Sequence, residues 1–549
     1  MSRPLPRLTP EVEFFWTSGA DGILRFRRCE NCHALQHPPA PVCRTCGSDR
    51  LEVVQVAGTG VVVGFTVNEH TWHPDIPAPY VVAIVAIDED PRVRLTTNLV
   101  DVTPAQLAVG LRVEVRFEQV ADVWLPVFTP RPNRPDPGPI PSDETAADHV
   151  RPMATREKFE EKVALTGIGM SKVGRRLGVD PLGLTIEACR QAVADAGLTM
   201  ADIDGLSTYP GGAAVGGHSE GGITAVEEVL RIRPTWFNGG MELPGQGGSV
   251  VAAMLAVAAG LCRHVLCFRT VWEATWTDRI RRQPLTSAAA ERIEGDFMSW
   301  RLPYGAMSAA NWIAMNASNH FHRYGTTREA LATIALNARK NAGLNPVAIY
   351  QEPLSRDQYF EARMISSPFG LYDCDVPCDG SIALVVSAVD EAFDRRHPPV
   401  LVDAVGTQII DRVSWDQGTL SHEPQTMGPA AHLWSRSSLR PHDVDVAQLY
   451  DGFTFNCLSW IEALGFCGIG EAGDFLADPG RIALAGELPL NTFGGQLSAG
   501  RTHGYGFLHE AVVQLRGDGG PRQVEGAEVA AVSTGGGTPG GCFLLTSAR

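Results

Sequence analysis

The chain has no apolar leader. Its start, Met1-Ser2-Arg3-Pro4-Leu5-Pro6, lacks the h-region of a secretory signal. It also lacks an apolar run long enough for a bilayer. The longest, Val250 to Cys262, is thirteen residues, where a spanning helix takes about 20, so it predicts a buried core helix. Basic residues are not in excess. With 46 Lys+Arg against 62 Asp+Glu the formal net charge is −16. That excludes a general nucleic-acid binder, which needs a basic face to displace counterions. A disulfide framework is excluded as well: twelve cysteines with no export signal predict reduced thiols or metal ligands. Together these absences predict a cytoplasmic protein with no membrane span.

What is present fills two or three domains: 549 residues, 44% hydrophobic and 20% charged, the composition of a globular protein. Residues 1–50 carry a cysteine cluster behind an N-terminal extension. Residues 51–128 hold valine-rich runs at Val53–Thr66, Tyr80–Ala86 and Leu111–Phe117, which read as strands of a small β-barrel. Residues 129–160 form a linker, since the prolines from Pro130 to Pro141 can hold neither a helix nor a central strand. From there strand and helix alternate, which predicts a layered α/β fold. Val163–Thr166 is a strand, Leu184–Ala196 an amphipathic helix and Ile203–Tyr209 a second strand. The pattern restarts with Val400–Gly406, and Asp443–Ala447 resembles Asp202–Leu206. An internal duplication is predicted, with halves at 161–396 and 397–549.

Cys29-x-x-Cys32 and Cys43-x-x-Cys46, ten residues apart, aim four thiolates at one point. Four protein ligands leave no open position for water, so the site predicted is a structural Zn²⁺. His33, beside Cys32, reads as a surface residue. A zinc ribbon followed by a small barrel resembles the rubredoxin-like zinc-ribbon and OB-fold modules that accompany acyl-CoA enzymes. The resemblance covers residues 10–128 and implies a module docked on a thiolase-fold partner.

Val163–Arg176 is not a dinucleotide fingerprint, because Gly169 to Gly174 is one residue too long for GxGxxG. This stretch, Asn341–Ala348, Ser366-Ser367-Pro368, Asp379-Gly380, Phe453–Gly465 and Gly535-Gly536-Gly537 resemble the thiolase superfamily, in particular its lipid-transfer-protein branch. The resemblance covers residues 162–549. It implies duplicated αβαβα layers, coenzyme A as part of the substrate, and a homodimer.

The thiolase nucleophile and base are missing from the matching positions. Gly245 stands about where the acylated cysteine belongs, Arg501 at the histidine of the GHP motif, Ser533 at the second cysteine, and Tyr450 before the acidic Asp451. Tyrosines on the motifs themselves resemble the thiolase-fold retro-aldolases of steroid side-chain degradation, which work with a zinc-ribbon partner. That likeness implies cleavage of a β-hydroxyacyl-CoA to a ketone and a short acyl-CoA such as propionyl-CoA, with Tyr450 and Tyr505 as acid and base reaching the substrate from opposite halves. It also implies Arg501 and His503 flanking Tyr505 as cation or hydrogen-bond donors, and Asp451, Gly245, Ser533 and Gly536 at the substrate. Asp451 could instead cap the following helix. A hydratase partner is implied as well. Arg175, Arg176, Arg279, Arg281 and Arg282 could meet CoA phosphates. A thiolase or acyltransferase using an unexpected cysteine (Cys374, Cys378, Cys457, Cys467 or Cys542) and a non-catalytic acyl-CoA or sterol carrier are the alternatives.

Overall fold

A computed structural model of the chain describes residues 3–131, 150–210, 219–220, 222–240, 244–282, 292–293, 297–409, 423–536 and 540–548. Most of the proline-rich linker and the side chains of Arg281 and Arg282 lie outside these residues.

The N-terminal module has two parts. Strands β1 (Arg25–Cys29), β2 (Leu35–Gln36) and β3 (Leu51–Gln55) form a three-stranded antiparallel sheet in the order β2-β1-β3. Strands β4 (Thr59–Asn68), β5 (Tyr80–Ile87), β6 (Arg94–Leu99), β7 (Arg112–Val120) and β8 (Val123–Pro130) run β4-β5-β6-β8-β7, and β7 pairs back onto β4. The barrel is therefore closed, a five-stranded OB-type arrangement. The valine-rich run from 53 to 66, read from sequence as one strand, is two strands in different sheets. Gly58, at φ 71°, breaks it. The barrel also takes in Thr129 and Pro130, so the linker starts later than the proline count suggested.

The body is built on β9 (Val163–Met170), β10 (Gly205–Thr208), β11 (Trp236–Gly239), β12 (His264–Trp272), the short hairpin β13 (Met364–Ser366) and β14 (Phe369–Gly370), β15 (Asp379–Ala388), β16 (Val400–Gly406), β17 (Val446–Gln448), β18 (Val529–Thr534) and β19 (Gly541–Ser547). All but the hairpin join in the order β11-β10-β12-β15-β9-β16-β19-β18-β17. The order reads as two repeats meeting at β9 and β16. In each, a parallel pair (β10–β12, β17–β18) is followed by antiparallel steps (β12–β15–β9, β18–β19–β16). The two sequence likenesses lead into equivalent strands: Val163 and Val400 open β9 and β16, and Asp202 and Asp443 each lie three residues before β10 and β17.

Strand alternation separates the layers. On β12 and β15, Leu266, Phe268, Ala383 and Val385 pack outward against the helix Pro181–Asp195. Val265, Cys267, Ile382, Leu384 and Val386 face inward to the main core. The inner layer holds the helices Gly248–Ala258, which is the apolar run seen in sequence, and Gly504–Arg516. The second of these touches β17 and β18 of one half and β15 of the other. The helices Glu423–Ser435 and Thr454–Ala463 cover the second half, giving a thiolase-like αβαβα stack. No helix among the described residues is long and apolar enough to cross a membrane.

The barrel is not a free appendage. β13 of the body pairs with β4 through Ser366 and Asn68, extending the barrel sheet to seven strands. The helix Ala309–Tyr324 lies across β4. A Cβ on Gly64 would stand 2.5 Å from the Met315 carbonyl, so only glycine permits this approach. Buried Asn311 donates through Nδ2 to Asn68 Oδ1 and Ser366 Oγ, both at 2.9 Å, and Asn319 donates to the Val63 carbonyl at 2.8 Å. Trp16 stacks on Trp300 of the body at 4.9 Å.

Candidate active site and zinc centre

The four cysteine sulfurs of the ribbon lie within 4.8 Å of one another. Cys29 Sγ is 3.6 Å from Cys46 Sγ and Cys32 Sγ is 3.5 Å from Cys43 Sγ. Zn–S bonds of about 2.3 Å in a tetrahedron place sulfurs about 3.8 Å apart, so the cage fits a zinc ion as it stands. Backbone N–H groups of Cys46 and Ser48 lower the Cys43 and Cys46 thiols, while the neighbouring sulfurs raise Cys32. His33 is outside the donor set. It takes a left-handed φ of 60° and closes the knuckle by donating its N–H to the Cys29 carbonyl.

In the body, the buried helix Gly248–Ala258 starts from a glycine turn. Gly245 has φ 58°, and a Cβ there would clash with the Thr534 carbonyl. The position about where a thiolase keeps its cysteine therefore has no room for any side chain. The first polar groups at this helix start are Gln246 and Ser249, one turn apart, and each meets a tyrosine. Gln246 Nε2 approaches Tyr450 Oη at 3.5 Å. Ser249 Oγ and Tyr505 Oη share a 2.7 Å hydrogen bond.

Tyr450 lies two residues beyond β17 and is 8% exposed. Its N–H donates to Ser533 Oγ at 2.9 Å, so Ser533 anchors the tyrosine's backbone from the neighbouring strand. A Cβ on Gly452 would stand 2.8 Å from the Tyr450 ring, so a side chain there would push the ring from its place. Asp451 does not cap the helix Thr454–Ala463. Fully buried, it accepts from Gln496 N at 2.7 Å and Asn491 Nδ2 at 3.1 Å and pins the turn Gly495–Ala499. Burial pushes its carboxyl up to about 8 against those donors. Gly536 packs against Asn456, 2.6 Å from where a Cβ would be.

Arg501 does not serve Tyr505. Its guanidinium pairs with Glu273 and with Asp375 at 3.3 Å, and its charge couples to Tyr450. Two carboxyls around one guanidinium leave an excess negative charge in a buried place, and desolvation pushes Asp375 up to about 7 despite the arginine. The cation beside Tyr505 is Arg269, on β12. Tyr505 is 0% exposed, the second residue of the helix Gly504–Arg516 and not part of a loose turn. Burial holds its hydroxyl well above the ordinary tyrosine range, so at neutral pH it carries its proton. His503, the helix N-cap at φ 57°, accepts at Nδ1 from Arg269 Nη2 at 2.8 Å and Tyr209 Oη at 3.1 Å.

Both tyrosines thus belong to the second half, contrary to the expectation that they come from opposite halves. The first half supplies Gln246, Ser249, Arg269 and Tyr209, which the sequence reading passed over. The glutamine and serine were visible in Gly245-Gln246-Gly247-Gly248-Ser249. Arg269 sits on the apolar strand β12 and Tyr209 just beyond the end of β10, and neither carried a motif. Every cysteine of the body has its thiol raised by burial, Cys374 and Cys457 well above the ordinary value and Cys467 to about 12. None is an activated thiolate. Of the arginines considered for CoA, Arg175 donates to Tyr350 Oη at 2.7 Å, Arg176 pairs with Asp278 at 3.7 Å and Arg279 lies over the Trp272 ring.

Known proteins share each part. Residues 16–52 match the "ChsH2, rubredoxin-like zinc ribbon domain", residues 53–118 the "ChsH2, C-terminal OB-fold domain" and residues 424–541 the "Thiolase C-terminal domain-like" family. Fold and site together define a thiolase-fold enzyme with a glycine turn at the start of its buried helix and two buried tyrosines meeting that helix start. A steroid side-chain-cleaving aldolase of Thermomonospora curvata is 35% identical over 64% of this chain and 90% of its own length. A 17-hydroxy-3-oxo-4-pregnene-20-carboxyl-CoA lyase of Mycobacterium tuberculosis is 32% identical over 70% of this chain and 99% of its own. The solved Ltp2-ChsH2(DUF35) aldolase superposes with a TM-score of 0.63 at 33% identity, over 71% of this chain and 98% of that one. The N-terminal part matches a probable enoyl-CoA hydratase alpha subunit of T. curvata, 38% identical over 23% of this chain and 40% of that protein. The chain belongs to the family of steroid side-chain-cleaving aldolases.

Proposed function

We propose that the chain is an acyl-CoA C–C lyase that cleaves a β-hydroxyacyl-CoA by a retro-aldol reaction, with Tyr450 as base and Tyr505 as acid. The observation that carries the reading is that two tyrosine hydroxyls meet Gln246 and Ser249, three residues apart at the start of the helix Gly248–Ala258, beside a glycine turn too tight for a nucleophile. The base takes the β-hydroxyl proton, and the Cα–Cβ pair flows into the thioester carbonyl as an enolate while the β-carbon becomes a ketone. The acid then protonates Cα and releases the shorter acyl-CoA. No acyl-enzyme is needed. Tyr450 couples to the Arg501 charge, which favours its phenolate whenever Asp375, pushed up to about 7, holds its proton and leaves Glu273 as the only carboxylate on the guanidinium. Tyr505, desolvated and bonded to Ser249, suits the group that starts protonated, and Arg269 lies near to steady the anion it leaves. The N-terminus of an eleven-residue helix adds a positive field where the enolate forms.

The M. tuberculosis relative's name places a hydroxyl at C17, β to the thioester carbonyl on C20. The substrate class for this chain is accordingly a steroid CoA thioester with a tertiary β-hydroxyl, giving a ring ketone and propionyl-CoA. Incubation with such a thioester tests it: ketone and propionyl-CoA by mass spectrometry support the lyase, and acetyl transfer or thiolysis in their place rejects it.

The assembly is a homodimer in this reading. β11 ends the sheet, and Phe237 on it is 66% exposed, an edge that a second copy would cover. Phe237→Glu should yield monomers in light scattering. The N-terminal likeness to a hydratase subunit suggests a hydratase as partner, since hydration of an enoyl-CoA makes the β-hydroxyl this reaction consumes. We infer a reducing compartment, the cytoplasm, since a four-thiolate zinc site needs its cysteines reduced.

A further inference from the structure

We propose that Arg269 and Tyr209 are positioning residues that hold His503 as the neutral Nε2–H tautomer, so that His503 serves the lyase as a fixed hydrogen-bond donor to the enolate oxygen and not as a base. The oxygen's identity rests on the retro-aldol reading; the tautomer does not.

The argument starts from a backbone the sequence alone would not choose. His503 takes φ 57° and ψ −160° at the N-cap of the helix Gly504–Arg516. A side-chain residue in this region costs about 1–3 kcal/mol and persists where its surroundings fix it. The fixing partner is Arg269. It sits within β12, every residue of which is buried. Its Nη1 donates to the Tyr209 carbonyl at 3.2 Å and the Thr270 carbonyl at 3.1 Å. Its guanidinium lies over the Tyr209 ring at 4.2 Å. Three anchors leave it little freedom, and its Nη2 meets His503 Nδ1 at 2.8 Å.

A guanidinium has only donors and keeps its proton throughout the working range of proteins. The nitrogen that receives it must therefore present a lone pair. Tyr209 Oη reaches the same Nδ1 at 3.1 Å, so it too donates. A proton on Nδ1 would set N–H against N–H and cation against cation. The ring proton is thus confined to Nε2. The other titratable groups around this cluster do not change the result. Glu220, ahead of the helix Ile223–Leu230, faces Arg269, and burial holds its carboxyl up at about 7. Tyr505, on the helix that His503 caps, bonds to Ser249.

A neutral N–H donor strengthens as charge grows on the oxygen it faces and does not give its proton away, which suits an enolate. The placement in chain fits: His503 lies between Arg501, which faces Tyr450, and Tyr505. Arg269 would then have two duties in one position, holding the donor and facing the phenolate left on Tyr505.

The test is ¹⁵N-histidine NMR on the zinc-loaded full chain, with the His503 signals assigned by their loss in His503→Gln. The expected result is an unprotonated Nδ1 and a protonated Nε2 at pH 7, still neutral at pH 6, where an ordinary histidine of pKa about 6.5 is mostly charged. Arg269→Met should let the ring take up a proton at pH 6 and lower kcat about 10–100-fold with KM within about twofold. Arg269→Lys, which keeps a cationic donor, should restore part of both. A proton on Nδ1, or an imidazolium at pH 6, in the unmodified protein overturns the proposal whether or not the variants fold. Unchanged kcat in His503→Gln overturns the donor role. Loss of the retro-aldol reading itself would show separately, as wild-type protein that leaves the β-hydroxyacyl-CoA intact while the tautomer signals stand.

Discussion

The two tyrosines differ in what removing a hydroxyl should do. Tyr450→Phe keeps the ring and its backbone bond to Ser533, so stability should hold while turnover falls by about 3–5 kcal/mol of transition-state stabilisation. Tyr505→Phe should cost as much in turnover and also about 1 kcal/mol in stability, because Ser249 loses its partner. Measured kcat and KM on the same thioester check both, and near-wild-type turnover in either variant makes that tyrosine structural. Gly245 gives the complementary case. Gly245→Cys cannot install a thiolase nucleophile: the left-handed φ and the Thr534 carbonyl leave no place for a Cβ, so the variant should be destabilised and form no acyl-enzyme with acetyl-CoA. Asp451 sets a pH dependence. Its carboxyl is raised to about 8 in the fold and is about 3.9 unfolded. Between those values the folded state holds a proton that the unfolded chain has lost. Its contribution is thus most favourable below about pH 4 and falls as pH rises to about 8. Denaturation midpoints across pH 5–8 should decline in the wild type and flatten in Asp451→Asn; equal slopes would reject the assignment. At this scale changed motif letters drew attention to Tyr450, Arg501 and Tyr505, but did not show that Arg501 pairs with Glu273 and Asp375 and does not stand beside Tyr505. Their partners were not legible, because Arg269 and Tyr209 come to His503 only when distant strands are laid together.

Elements were legible where one signal dominates. Paired CxxC knuckles located the ribbon before any strand was assigned, and the apolar run at 250–262 became the helix Gly248–Ala258. β6 and β8 were missed for opposite reasons. β6, Arg94–Leu99, is half threonine and asparagine, yet fully buried because its neighbours satisfy those side chains: Thr97 Oγ1 donates to the Pro126 carbonyl and Asn98 Nδ2 to the Tyr304 carbonyl, both at 2.8 Å. β8 contains Pro126 and ends at Pro130, residues that argue against a strand unless it lies where N–H groups are not needed. The ribbon should be the metal-dependent element. One zinc per chain is expected by elemental analysis, and Cys43→Ser should release it. With zinc chelated, hydrogen exchange should rise across β1–β3 while β15 and β12 stay protected. Protection lost equally in β15 would show that the ribbon and body fold as one unit.

At the scale of the molecule, the duplication was legible from two short likenesses because equivalent strands in related halves bury the same faces. What the sequence did not disclose is how the ribbon and barrel attach, since Ser366 and Asn68 are nearly 300 residues apart and nothing in the Ser366-Ser367-Pro368 stretch points to a strand of the barrel. That junction has a thermodynamic consequence. β4 is shared between barrel and body, and glycine at 64, Asn311 and Asn319 build a specific contact around it. The peptide joining the two parts therefore acts mainly by raising their local concentration. A protease that cuts between residues 131 and 150 should leave the two fragments eluting together and the lyase active, and dilution should separate them only slowly. Fragments that part at once would mean that the tether, and not the shared strand, keeps the barrel in place.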